Sequence, residues 1–378
     1  MKIHVIGSFF DSSGYSIHTR NLCNALFQLN PDLSIDTQKP QDWVRYVSDN
    51  ELKMLSTPYT DNSTTIAITQ PQFSPLFLAG NPKAFYQYCV WEGMYCPLFW
   101  LPYLSNPRIT GVLTPSQHTY NSIRNTIEYV QKQGLSRFKG CFRGIDKILL
   151  KTHIIPHGFS PKFFYPKTSA KSNKPFIFLM NKGWSQGIND RGGIQWGLIA
   201  FCNEFCKDEN VELIVRINPT YNLPNWNLDE EIQKLKLNEN GLKKVKFTIE
   251  PTTYDKLVKL YHQGNIFVSP TMGDAFNLPC LEAQACGLPI IATNFGGQCD
   301  FVNENNGWLI NCDLIDVTWD ITHEGNKWAK PNMIHLQQTM RYVFEHSEEV
   351  KRKGEQALKD SKEWTWEQST QKLLNITT

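Results

Sequence analysis

The stretch Ser269-Pro270-Thr271-Met272-Gly273-Asp274-Ala275-Phe276-Asn277-Leu278-Pro279-Cys280-Leu281-Glu282-Ala283 sets two carboxylates on either side of a proline. An apolar strand runs into Ser269, and Pro279 opens a helix at the position where its missing N–H costs nothing. The N–H groups of Phe276, Asn277 and Leu278 are then expected to be free at the helix start, where the peptide dipole favours an anion. Glu282, one turn into the helix, can accept two hydrogen bonds from the vicinal hydroxyls of a ribose. Asp274 can do the same for a sugar. In one line these residues suit a sugar, a diphosphate and a ribose. They also read as a solvated acid and a capped helix, because a proline-initiated helix with an early glutamate arises on structural grounds alone.

Other loops carry weaker signals. The turn Gly7 to Tyr15 lacks G-x-G-x-x-G, which leaves a dinucleotide cofactor poorly supported, and lacks G-K-[ST], which excludes a P-loop there. Gly14 at the following helix start reads equally as a plain turn glycine or as a place where a phosphate or sugar approaches backbone N–H groups. Glu92 reads equally as a group that orients hydroxyls or acts as a base and as the cap of the next turn. His153 and His157 flank a strand end; by count they could pair on a metal, but turn histidines are the expected reading. None of the ten cysteines forms a Cys-x-x-Cys pair, and Cys202 with Cys206 lacks a second pair, so reduced buried thiols are expected. An Asp-x-Asp metal motif is absent from the chain.

Short apolar strands alternate with amphipathic helices and must position these residues. Strands are expected at Lys2–Ser8, Thr65–Thr69, Ala84–Trp91, Thr110–Thr114, Pro175–Met180, Glu212–Arg216, Val245–Thr248, Ile266–Ser269 and Pro289–Ala292. Helices are expected after Gly14 and at Gly193–Cys206, Tyr254–Gln263, Pro279–Cys286 and His335–His346. Thr365-Trp366-Glu367-Gln368 has the spacing of a capping box and predicts a last helix there. This order predicts an α/β chain with parallel sheets covered by helices. The Pro-, Lys- and Ser-rich stretch Pro161–Pro175 is the expected linker. It implies one domain over residues 1–165 and another over 166–363, with a C-terminal helix over about 364–378 packing back on the first. Two such halves would face a central cleft, with ligands at the carboxyl ends of the strands.

The bulk numbers narrow the class. The chain has 378 residues, 41% apolar and 20% charged, which suits two globular domains. A net charge of +2 offers no basic field for nucleic acid. The start Met1-Lys2-Ile3-His4-Val5-Ile6-Gly7 is too short for a signal core, and no apolar run approaches the roughly 18 residues of a spanning helix. The expected location is the cytoplasm, with peripheral membrane contact left open.

The segment GDAFNLPCLEAQACGLPIIATNFGG resembles the signature of the family-4 retaining glycosyltransferases of the GT-B fold, the glycosyl transferases group 1. Glu282 fits the second acid of that signature, and Ala283, Ala285, Cys286, Gly287, Pro289 and Gly296-Gly297 fit the remainder of it. The segments GYSIHTRNL from Gly14, VWEGMYCPLFWLPYL from Val90, VLTPSQHTYNSI from Val112 and IIPHGFSPKFFYP from Ile154 resemble other parts of the family. The resemblance implies two Rossmann-like domains, the first binding the acceptor and the second a UDP- or GDP-sugar. It implies transfer, of a hexose above all, to a glycan, lipid or other acceptor hydroxyl, with no cofactor and no metal. It places Asp274 at the donor sugar, Phe276, Asn277 and Leu278 at sugar and diphosphate, Glu282 at the ribose and Gly14 at the diphosphate. A basic pair neutralises the departing diphosphate, a need that is also physical because that group gains charge in the transition state. Lys182 and Arg191 are assigned to it.

The chain departs from the pattern at three places. The leading acid is Asp274 rather than Glu, Gly192-Gly193 stands where Lys-Gly is usual, and Glu92 stands where many members have His. A non-catalytic nucleotide-sugar-binding protein of the same fold, and a transferase that glucosylates modified DNA bases, remain as alternatives. The sequence does not specify an oligomeric state.

Overall fold

A computed structural model describes residues 1–11, 13–37, 47–133, 144–167, 175–221, 225–250, 252–318 and 325–377. Ser12 of the first turn, Cys141 and residues 168–174 of the expected linker lie outside the described residues. The chain divides into two compact units, Met1–Gly158 with Thr365–Thr378, and Phe159–Trp364.

The first unit is built on strands β1 (Ile3–Gly7), β2 (Leu33–Asp36), β3 (Thr64–Ile68), β4 (Ala84–Tyr88), β5 (Gly111–Thr114) and β6 (Thr152–Ile154). They form one parallel sheet in the order β2-β1-β3-β4-β5-β6. Its helices are α1 (Gly14–Leu29), α2 (Asp49–Ser56), α3 (Ser74–Leu78), α4 (Trp100–Leu104) and α5 (Gln117–Gln133). Parallel strands covered on both faces read as continuous apolar runs, and β1 and β3 are buried at every position. The expected strand Ala84–Trp91 ends at Tyr88 instead. Past that point Cys89 still pairs with Leu113, while Trp91 turns into a core with Trp100.

The second unit carries β7 (Phe176–Lys182), β8 (Val211–Ile217), β9 (Val245–Ile249), β10 (Ile266–Ser269), β11 (Ile290–Thr293) and β12 (Gly307–Ile310). These too are all parallel, in the order β12-β11-β10-β7-β8-β9. Chain order reverses between β7 and β10, so the switch point where doubly wound sheets bind ligands lies at their carboxyl ends. Helices α6 (Ile194–Glu204), α7 (Leu228–Leu235), α8 (Glu239–Leu242), α9 (Tyr254–Tyr261) and α10 (Leu278–Ala285) connect the strands. The hairpin β13 (Cys312–Asp316) and β14 (Lys327–Pro331) is antiparallel, and α11 (Met333–Glu345) and α12 (Ser347–Ser361) come after it. Phe178, Leu198, Phe201, Phe205, Leu213 and Val268 centre this core. Among the described residues no helix is long and apolar enough to cross a membrane.

The last helix, α13 (Trp366–Thr377), belongs to the first unit. Its capping box is formed: Gln368 N–H donates to Thr365 Oγ1 at 3.3 Å, and Thr365 N–H donates to Gln368 Oε1 at 3.0 Å. Trp366 lies 5.8 Å from each of the buried rings of His18 and His157. Tyr86 Oη donates to Ile376 O at 2.9 Å. Thr365→Ala removes one half of the box and should cost about 1 kcal/mol in urea unfolding, while Thr365→Ser should cost much less. An alanine variant as stable as the wild type would mean that packing alone sets this helix start.

Candidate functional site

Lys182 ends β7 and Asp274 lies in the loop after β10, so the two meet at the switch point of the second sheet. Lys182 Nζ donates to Asp274 Oδ2 at 2.7 Å and to Asn277 Oδ1 at 2.7 Å. Asp274 Oδ1 accepts from Phe276 N–H at 3.1 Å and Asn277 N–H at 2.7 Å. Burial alone would raise this carboxyl. The Lys182 and Arg191 charges, with the hydrogen bonds from Lys182 and Phe276, outweigh burial and hold it at about 2.

This corrects one expectation. The N–H groups of Phe276 and Asn277 are not free for an anion, because the chain's own carboxylate takes both. An aspartate oxygen reaches the N–H groups two and three residues ahead, as in Asx turns. Asn277 adopts φ 73°, which asparagine tolerates, and its Nδ2 donates to Ser269 Oγ at 3.0 Å. Leu278 is the first residue of α10, with Pro279 next, and its N–H has no hydrogen-bond partner among the described residues.

Arg191 is aimed by a neighbouring acid. Asp190 Oδ2 accepts from Ser185 N–H at 2.7 Å and Gln186 N–H at 3.1 Å, and Oδ1 accepts from Gly192 N–H at 2.7 Å. Arg191 Nη1 donates to Gly273 O at 3.0 Å, and its own carbonyl accepts from Thr271 Oγ1 and Met272 N–H. Two glycine positions make this packing possible. Gly193 has φ 85°, and a Cβ there would lie 2.2 Å from Pro270 O. A Cβ on Gly297 would lie 2.1 Å from Ala275 O, while Gly297 N–H donates to Asp274 O at 2.9 Å.

Glu282 is 6% exposed on α10. Tyr261 Oη donates to its Oε2 at 2.7 Å. Burial lifts its carboxyl to about 7, against the opposing pull of the Tyr261 hydrogen bond, Arg216 and Lys182. Tyr261, Asn181 and Arg216 were not singled out in the sequence. The available signal was polar residues inside apolar parallel strands: Asn181-Lys182 after Phe-Ile-Phe-Leu-Met, and Arg216 within Leu-Ile-Val-Arg-Ile.

The remaining two residues, Gly14 and Glu92, lie in the first unit. Gly14 starts α1 after Ser13, whose Oγ accepts from Ser16 N–H, and a Cβ on Gly14 would meet no atom within 4 Å. Packing therefore does not demand glycine there. Glu92 lies beyond the end of β4, and its carbonyl is bonded to His118 Nε2 at 2.9 Å. Among the described residues no three His, Cys, Asp or Glu side chains are placed to hold a metal ion.

Residues 198–317 match the family described as glycosyl transferases group 1. An uncharacterised glycosyltransferase of Methanocaldococcus jannaschii is 23% identical over 177 residues, 41% of this chain and 43% of that protein. A D-inositol 3-phosphate glycosyltransferase of Corynebacterium jeikeium is 32% identical over 101 residues, 26% of this chain and 22% of that protein. The match thus spans less than half the length of these curated relatives. Sucrose-phosphate synthase from Thermosynechococcus elongatus superposes with a TM-score of 0.67 at 16% identity over 100% of this chain and 98% of that one. Anabaena HepE in complex with UDP and glucose gives 0.67 at 14% identity over 99% and 98%. The fold is that of the GT-B glycosyltransferases.

Lys182→Met should destabilise the second unit by about 3 kcal/mol in urea unfolding, because it strands a desolvated carboxylate. Adding Asp274→Asn should return part of that loss; strict additivity would show the pair to be uncoupled. Glu282 keeps its proton to about 7 when folded and releases it near 4.5 when unfolded. Wild-type stability should therefore fall, relative to Glu282→Gln, by up to about 3 kcal/mol as pH rises through that window. Parallel pH profiles of the two proteins would contradict the burial of this carboxyl.

Proposed function

We propose that this chain is a retaining glycosyltransferase that moves a hexose from a UDP- or GDP-sugar to a hydroxyl of a glycan or lipid-linked acceptor, without a metal. The observation that carries the reading is the gathering of Lys182, Arg191, Asp274 and Glu282 at the carboxyl ends of β7 and β10. Glu282 would hold the ribose. Lys182 and Arg191 would neutralise the diphosphate as its bond to the sugar breaks, where preorganised cations lower the barrier most. Asp274 would accept a donor-sugar hydroxyl, with Leu278 N–H facing the diphosphate. The leaving phosphate can take the acceptor's proton on the face it departs from, so no enzyme nucleophile is needed and positioning supplies much of the rate. The relatives named as glycosyltransferases support the class. The reading places the protein in the cytoplasm, at the membrane surface where the acceptor is lipid-linked.

A second reading is favoured by one observation: both oxygens of Asp274 are already bonded within the chain. A protein that binds a nucleotide sugar without transferring it would have this arrangement. A thermal-shift screen of UDP-, GDP- and ADP-sugars, with a subsequent assay of nucleotide release with glycan and lipid acceptors, separates the two. Stabilisation with release supports the transferase, and Lys182→Ala should then lower turnover by roughly a hundredfold or more. Stabilisation without release by any donor and acceptor supports the binding protein. No stabilisation by any of the three donors would sink both.

A further inference from the structure

Four buried side chains from four elements form one hydrogen-bonded line that ends on Glu282. Arg216 on β8 donates from Nη1 to Asn181 Oδ1 at 2.9 Å and from Nη2 to Glu250 O at 3.1 Å. Asn181 on β7 donates from Nδ2 to Tyr261 Oη at 3.1 Å. Tyr261 at the end of α9 donates to Glu282 Oε2 at 2.7 Å. Tyr261 is fully buried, and Asn181 and Arg216 are 4% and 7% exposed.

The direction of this line is forced. A guanidinium only donates, so Asn181 must turn its oxygen to Arg216 and its NH2 to Tyr261. The tyrosine hydroxyl accepts from Asn181 and has one proton, which it gives to Glu282. The carboxyl therefore enters as an acceptor through Oε2, and Oε1 stays outside the line.

We propose that Tyr261, held by Asn181 and Arg216, is a positioning residue of the nucleotide site, locking one oxygen of Glu282 so that the other is presented to a ribose diol. The inference rests on the reading of Glu282 as the ribose-holding group. A carboxylate anchored before the ligand arrives has already lost its rotamer freedom, so that loss does not weaken binding. The hydroxyl also favours the charged form. Burial works against ionisation of Glu282, and the groups facing it are Tyr261 from α9, Arg216 from β8, Lys182 from β7 and Cys286 just past the end of its own helix. Burial and then the Glu282 charge push the Tyr261 hydroxyl upward, so it remains a donor. Removing that hydroxyl raises Glu282 further. The ionised fraction at neutral pH then drops and returns only as pH rises.

The test compares the full-length wild type with Tyr261→Phe. Calorimetry measures UDP, GDP, ADP, their 2′,3′-dideoxy forms and inorganic pyrophosphate from about pH 6 to about pH 9. Tyr261→Phe should weaken the preferred ribonucleoside diphosphate about fivefold near pH 7, which is what a rise of about one pKa unit from about 7 does to the ionised fraction of Glu282. The loss should shrink toward the alkaline end, with dideoxy nucleotide and pyrophosphate binding equally to both proteins. Asn181→Leu, which leaves the tyrosine unaligned, should show the same pH trend at smaller amplitude and serves if Tyr261→Phe does not fold. A loss shared by pyrophosphate and the dideoxy nucleotide, or no loss at all, would overturn the positioning role while leaving the nucleotide site standing. A wild type that binds none of the ribonucleoside diphosphates at any pH would instead remove the ribose reading, and the positioning role with it.

Discussion

A lysine ammonium at the end of a buried strand needs a counter-charge, and in this protein Asp274 supplies it. Much of the architecture at the carboxyl end of the second sheet depends on that pairing. The β7 end cannot be desolvated around Lys182 unless a carboxylate approaches it. Asp274 can approach only if the loop after β10 folds back across the sheet. That fold-back brings Asp274 Oδ1 onto the N–H groups of Phe276 and Asn277, sets the start of α10 and fixes where Glu282 lies along the helix. The turn at Gly296-Gly297 then packs on the same loop because it carries no Cβ to obstruct Ala275.

The pairing also gives the aspartate a meaning that comparison with a glutamate-bearing signature misses. One methylene fewer lets the carboxylate cap its own loop. The cost is that its oxygens are engaged before any ligand arrives. Lys182 is less committed: an ammonium has three protons, and Asp274 and Asn277 take two. A phosphate oxygen could be added without breaking the pair, whereas a sugar hydroxyl at Asp274 must share an oxygen already in use.

The strands around the site, the proline-opened helix and the capping box at Thr365 were legible because each rests on local residue order. Both sheets are parallel, as the alternation of strand and helix implied. The occupied N–H groups of Phe276 and Asn277 were not legible, since the direction of one side chain decides them. The line from Arg216 to Glu282 joins residues far apart in sequence, and only the sheet order brings them together. Helix α12 is not legible in the sequence for another reason. Its buried face is Val350, Lys353, Gly354, Ala357 and Ser361, so the apolar period is missing. Lys353 can be buried there because Nζ donates to Glu304 O at 2.7 Å and Gly307 O at 2.9 Å.

Helix α13 bears on how the protein is made. It packs on α1 within the first unit, through Trp366, the Tyr86 bond to Ile376 and the bond from Ser369 to Pro156 O, yet it comes after the whole second unit in sequence. A chain emerging from the ribosome therefore exposes the first six-stranded sheet well before the helix that covers part of it is synthesised. Domains generally fold as units in order of synthesis. Here the second unit, contiguous from Phe159 to Trp364, is complete first, and Trp366 reaches His18 and His157 of the earlier-made unit only after the later one has been translated.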